Sequence, residues 1–161
     1  MGKPTRAQVV LLIINVSLIN DWRAKSKSHQ NATAKLPFGF VQLAPDLNQT
    51  IHSGWPDLRW WQTGGYGYVP NPSLPDVFMS VAMDLPDLLS HYGSNHPRYM
   101  YDIAERLALA GRAVAYGEQG LDFQGPFPTR ITTGGSGVII EYDNGNKPIA
   151  VRVNHGFEAE I

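Results

Sequence analysis

"DVFMSVAMDL" (Asp76–Leu85) is the stretch on which the fold turns. From Val77 to Met83 every residue is apolar except Ser80. A strand with one wet face alternates apolar and polar side chains. A run without that alternation suits a strand covered on both faces, as in a parallel sheet packed between helices. The run closes on Asp84, at the carboxyl end, which is where open α/β sheets build their sites.

Downstream lies "GSNHPRYMYDIAERLALAGRAVAYG" (Gly93–Gly117). Met100, Ile103, Ala104, Leu107, Ala110 and Val114 recur at steps of three and four, so the pattern predicts an amphipathic helix. Pro97 is placed to set its first turn and Gly117 to stop it. Asp102 and Glu105 sit toward the positive end of the helix dipole, Arg106 and Arg112 toward the negative end. Burying four or five of the apolar side chains contributes about 8–12 kcal/mol of gross transfer free energy.

Upstream, "LPFGFVQLA" (Leu36–Ala44) reads as a second buried strand, bounded by Pro37 and Pro45, with Gln42 as its polar insertion. "WPDLRWWQTGG" (Trp55–Gly65) reads as a short helix entered at Pro56 and stopped at Gly64–Gly65. The proline- and glycine-rich Gly65–Pro75 cannot hold regular structure. The order strand, helix, strand, helix is that of the α/β class, with a parallel layered sheet.

Beyond Gly117 the pattern changes. "GPFPTRITTGGSGVIIEYDNGNKPIAVRV" (Gly125–Val153) carries strand-like runs, a turn at "TGGSG" (Thr133–Gly137), and a hairpin signal at Asn144–Gly145. This is the beginning of a β module. The chain thus divides into an N-terminal segment of uncertain assignment (1–17), an α/β part (18–125) and a partial β segment (126–161).

Bulk properties narrow the function. The 161 residues make one domain or a piece of a larger one, and 43% hydrophobic residues suffice for a core. A net charge of −1 gives no reason to expect a nucleic-acid partner. The absence of cysteine excludes disulfides, thiolate-bound zinc and a thiol nucleophile. Lys3, Arg6 and the apolar run Val9–Ile14 are similar to a secretory leader, yet no small-x-small cleavage site follows. The run is too short to span a bilayer, and it reads equally as a buried strand or helix of the domain. Glycosylation sequons at Asn15, Asn31 and Asn48 favour a secretory or lysosomal location, with a cytosolic one left open.

The candidate chemistry lies between Asp84 and His96. This loop leaves a strand at its carboxyl end and enters a helix at its amino end. It gathers Asp84, Asp87, His91, Ser94 and His96. An imidazole there is a general base if a carboxylate or carbonyl orients its second nitrogen. Equally, Ser94 or Asn95 caps the helix and His96 is a solvated loop residue. His29, His52 and His155 lack metal-ligand spacing, and no serine occupies a G-x-S-x-G elbow. Trp60 and Trp61 read as packing residues rather than as a sugar platform.

"LINDWR", "LPFGFVQLAPDL", "LRWWQTGGYGYVPNPSLPDVFMSVAMDL", "YGSNHPRYMYDIAERLALAGRAVAYGE" and "LDFQGPFP" follow one another in this order. From Leu18 to Pro128 they closely resemble the C-terminal half of the catalytic domain of the sialate O-acetylesterase family, whereas Met1–Ser17 match poorly. The resemblance implies a flavodoxin-like three-layer domain of the SGNH-like serine esterases, acting on O-acetylated sialic acids by acyl transfer without metal or organic cofactor. It implies that His96, in "NHPR", is the catalytic base. The family's serine lies in an upstream "GQSN" motif that this sequence lacks, so the resemblance implies a chain without its nucleophile, inactive alone and missing the N-terminal half of the domain. The third member is open: Asp84, Asp87 or a backbone carbonyl. Relatives from bacteria often carry Asp where Ser94 stands. Arg59 and Gln62 match a recurrent Arg-x-x-Gln, for which substrate contact and a structural or rim-lining role both remain. The alternative is a non-catalytic carbohydrate-binding protein that uses Trp55, Trp60, Trp61, Tyr66 and Tyr68.

Overall fold

The computed structural model describes residues 16–26, 35–45, 55–135 and 137–143. The apolar run Val9–Ile14, the sequon asparagines Asn15, Asn31 and Asn48, His29, His52, His155 and the Asn144–Gly145 turn lie outside the described residues. The described elements, in chain order, are helix α1 (residues 16–26), strand β1 (Phe38–Gln42), helix α2 (Trp55–Gln62), strand β2 (Val77–Val81), helix α3 (Tyr101–Ala115), and strands β3 (Phe127–Gly134) and β4 (Gly137–Asp143).

β1 and β2 pair in parallel, with Phe38 opposite Val77 and Gln42 opposite Val81. The chain is therefore α/β, as its two apolar runs predict. Side chains alternate across this sheet. Val77 and Met79 pack with Phe38, Phe40, Val69, Leu74 and Ile19 of α1. On the other side, Ala82 packs with Ala44, Val41 and Ile103 of α3. Both faces are covered, which is why β2 shows no polar alternation.

One aromatic ring joins the layers. Phe78 on β2 lies against two glycines, Gly39 of β1 and Gly111 of α3. A Cβ at Gly39 would stand 2.7 Å from Phe78 Cζ, and one at Gly111 would stand 3.3 Å from its Cε2. The missing side chains are what let α3 settle onto the sheet.

At the amino ends of both strands sits Arg23 of α1, buried to 8% exposure. Its Nε donates to Leu36 O (3.0 Å), and one terminal nitrogen donates to Pro75 O (2.7 Å) and Asp76 O (3.3 Å). One guanidinium fork thus ties α1 to the start of each strand. Asp76 has φ 58°, and the turn aims its carbonyl at both Arg23 and the amide of Phe38.

α3 differs from its sequence pattern. It starts at Tyr101, four residues after Pro97, with Met100 at the N-cap and no side-chain cap. The capping reading of Ser94 and Asn95 is thereby corrected. The reason is competition for backbone donors: the amide of His96 donates to Gly93 O and that of Arg98 to Asp87 Oδ2, so the stretch is committed to a loop. The buried stripe is correspondingly narrow: Ile103, Ala110 and Gly111 are buried, while Met100 is 55% exposed. Gly117 ends the helix with φ 70°, a conformation glycine adopts without penalty.

β3 and β4 form an antiparallel hairpin, Gly134 opposite Gly137, so the predicted "TGGSG" turn is its tip. Its root packs on the α/β part through Phe127, whose ring meets that of Tyr68 edge to face at 5.1 Å.

Candidate active site

Three side-chain devices finish the carboxyl end of the sheet. The first belongs to α2. Gln62 donates from its amide nitrogen to Val41 O (3.1 Å) and accepts from Leu43 N (3.4 Å), while Arg59 donates to Leu43 O (3.4 Å). Phe38 and Gln42 turn their backbone groups toward β2. Val41 and Leu43 therefore face the opposite edge, and Gln62 occupies it as a neighbouring strand would. Arg59 is 5% exposed, and burial lowers its pKa from the ordinary arginine value. The Arg-x-x-Gln pair that the sequence marks thus grips the backbone of β1.

The second device closes β2. Arg106 of α3 donates to Val81 O (2.6 Å) and forks onto Asp84, with contacts of 2.6 and 2.8 Å to the two carboxylate oxygens. The hydrogen bond to Asp84 raises the Arg106 pKa. The strand stops at Val81, short of the predicted Met83, so Asp84 sits in the turn three residues beyond it, with both oxygens engaged by a guanidinium.

The third device shapes the loop that bears His96. Asp87 is buried at 7% exposure. Its Oδ2 accepts from Arg98 Nε (2.6 Å) and Arg98 N (3.2 Å), and its Oδ1 from a terminal nitrogen of Arg98 (3.1 Å) and Leu89 N (3.0 Å). The Arg98 hydrogen bond outweighs the opposing effect of burial and lowers the Asp87 pKa from 3.8 to about 2. Asp87 N also donates to Ser94 O (2.8 Å). Ser94 is fully buried, and its hydroxyl donates to Pro45 O (3.3 Å), just beyond β1.

His96 stands exposed between these fixed points, as does His91 further back in the loop. Sequence proximity thus brings Asp87, Ser94 and His96 into one loop. The Asp87 carboxylate, however, is directed to Arg98. The ties made by Arg98, Arg106 and Arg23 are not legible in the sequence. Each acts across 11 to 53 residues, a separation for which no periodicity rule gives a signal.

Two clefts share Gly67, Tyr68, Phe127 and Pro128. One, of about 620 Å³, reaches Met79, Val81, Asp84 and Arg106; the other, of about 490 Å³, reaches Trp60 and Tyr66. The aromatic residues of the carbohydrate-binding alternative partly line them, and Tyr66 meets Tyr68 edge to face at 6.1 Å. No helix among the described residues is long and apolar enough to cross a membrane.

No family model matches the chain. Curated relatives do. Sialate O-acetylesterase of Homo sapiens is 49% identical over 118 residues, covering 71% of this chain and 23% of that protein. The Mus musculus sialate O-acetylesterase is 50% identical over 117 residues, covering 71% and 22%. That of Pongo abelii is 49% identical over 118 residues, covering 71% and 23%. The chain is thus sialate O-acetylesterase-like in sequence over most of its length, and it spans less than a quarter of the relatives it matches.

Proposed function

We propose that this chain is the histidine-bearing part of a carboxylic ester hydrolase that removes O-acetyl groups from sialic acids. The observation that carries the reading is identity near one half, over 117–118 residues, to proteins named for that activity. In the proposed mechanism a serine from outside these 161 residues attacks the acetyl carbonyl. His96 takes the hydroxyl proton. The tetrahedral intermediate collapses, and His96 returns that proton to the departing sugar oxygen. Water, deprotonated in turn by His96, then releases acetate and restores the serine. An exposed imidazole beyond the carboxyl end of a parallel sheet suits this role.

The same proposal takes the α/β part, 18–125, as a portion of a flavodoxin-like, SGNH-like layered domain, with 126–161 opening a β module. Sequons at Asn15, Asn31 and Asn48 support a secretory or lysosomal setting. Acetate release from 9-O-acetylated sialic acid tests the chemistry. The chain alone should stay at background, because a triad without its nucleophile loses most of its rate. A full-length protein containing it should turn over, and His96→Ala should abolish that turnover. Full activity in the His96→Ala protein removes the reading. Sugar binding without turnover in the full-length protein would favour the carbohydrate-binding alternative at the Trp60–Tyr66–Tyr68 cleft.

A further inference from the structure

The segment between β2 and α3 has no regular secondary structure, yet it must present one imidazole to within a fraction of an ångström. Loops of this kind hold a conformation only where something closes them. Asp87 and Arg98 are eleven residues apart and close this one.

The closure is complete on the carboxylate side. An ionised carboxyl group offers about four acceptor sites, and the Asp87 oxygens receive four N–H donors: Leu89 N, Arg98 N, Arg98 Nε and an Arg98 terminal nitrogen. A bond to the His96 ring would displace one of them. His96 is held instead through the chain. Two residues before it, Ser94 is locked by its hydroxyl to Pro45 O and by its carbonyl to Asp87 N. Two residues after it, Arg98 is locked by side chain and backbone to Asp87. The His96 amide itself donates to Gly93 O at 3.0 Å. Little slack is left at position 96.

We infer that Asp87 and Arg98 are a positioning pair for the reaction: they set where the His96 imidazole stands, and Asp87 is not the carboxylate that orients its ring. The inference rests on the reading of His96 as the base. Displacing a catalytic group by about 1 Å can cost on the order of a hundredfold in rate while leaving substrate affinity intact. The pair should therefore act on kcat and spare KM.

The test uses the full-length protein that contains this chain, with 9-O-acetylated sialic acid as substrate and folded fraction measured on each variant. Asp87→Asn and Arg98→Ala should lower kcat by about 10- to 100-fold with KM within about twofold. Arg98→Lys keeps the charge but not the fork, and it should fall between Arg98→Ala and the parent. If Asp87→Asn does not fold, Arg98→Lys decides. Parent-like kcat per folded molecule in Arg98→Lys and Arg98→Ala overturns the inference, as does a loss confined to KM. His96→Ala separates the two levels. If it is active, the base assignment fails; if it is dead while the clasp variants turn over normally, the positioning inference alone falls.

Discussion

The side-chain amide of Gln62 takes the place of a strand at the outer edge of β1, donating to Val41 O at 3.1 Å. It also accepts from Leu43 N, so one side chain satisfies a donor and an acceptor two residues apart. Gln62→Ala leaves both backbone groups without this partner and should cost about 1–3 kcal/mol. Gln62→Glu keeps an acceptor for Leu43 N but sets a carboxylate against Val41 O, so it should be no milder. Urea denaturation of the chain measures both. A stability loss with unchanged KM in the full-length protein assigns Gln62 to the scaffold. A raised KM at unchanged stability would return it to the substrate.

The Phe78 ring fills the space that Gly39 and Gly111 leave open. Gly39→Ala should therefore overpack the sheet–helix interface and cost about 1–3 kcal/mol. Gly111→Ala is the milder change, since its Cβ would meet the ring at 3.3 Å rather than overlap it. Pairing Gly39→Ala with Phe78→Leu should recover part of the loss, because the smaller side chain vacates the contested volume. A double-mutant cycle on thermal unfolding reads the coupling, and purely additive effects would refute the contact.

Much of this architecture is legible in the sequence because burial writes directly into residue pattern. The run at Val77–Met83, apolar but for Ser80, records a strand covered on both faces, and Gly117 records the end of α3. Residues 16–26 carry a weaker signal: their helix buries Ile19 but leaves Leu18 and Trp22 partly exposed, so no clean stripe forms. Pro97 misleads because a proline suits a tight loop as well as a first helical turn, and the Asp87 contacts decide for the loop. The candidate site is legible as residue types in one segment. Which carboxylate meets which guanidinium is set by tertiary approach, and local spacing does not encode it.

Arg23 is the clearest of these long-range ties. It is nearly buried and serves three carbonyls, at Leu36, Pro75 and Asp76. Arg23→Lys retains the charge but cannot span that geometry with one ammonium, and about 1.5–3 kcal/mol should be lost per charged hydrogen bond given up. Arg23→Met keeps the aliphatic stem and should be worse, because the carbonyls then lose every side-chain donor that Arg23 supplies. Hydrogen exchange should show the loss at the amide of Phe38, which donates to Asp76 O beside this fork. Unchanged exchange there in a folded Arg23→Met chain would contradict the role.

The Asp87 clasp also predicts an acid limit. Its folded-state pKa is lowered to about 2 from an ordinary 3.8, chiefly by the hydrogen bond from Arg98. A lowered carboxyl pKa means that the folded state holds the proton less tightly than the unfolded state. The contribution of the clasp is thus fully present above about pH 4 and lost as pH falls through about 2. Between neutrality and pH 4 the His96 loop should keep its closure, and any loss of activity in that window belongs to groups other than Asp87. The amide proton shifts of Leu89 and Arg98, followed by NMR as the chain is acidified, should move together with a midpoint near 2. Asp87→Asn should remove that transition. A common midpoint near 4 would show the carboxylate free of Arg98, and the loop would need another account of what holds it shut.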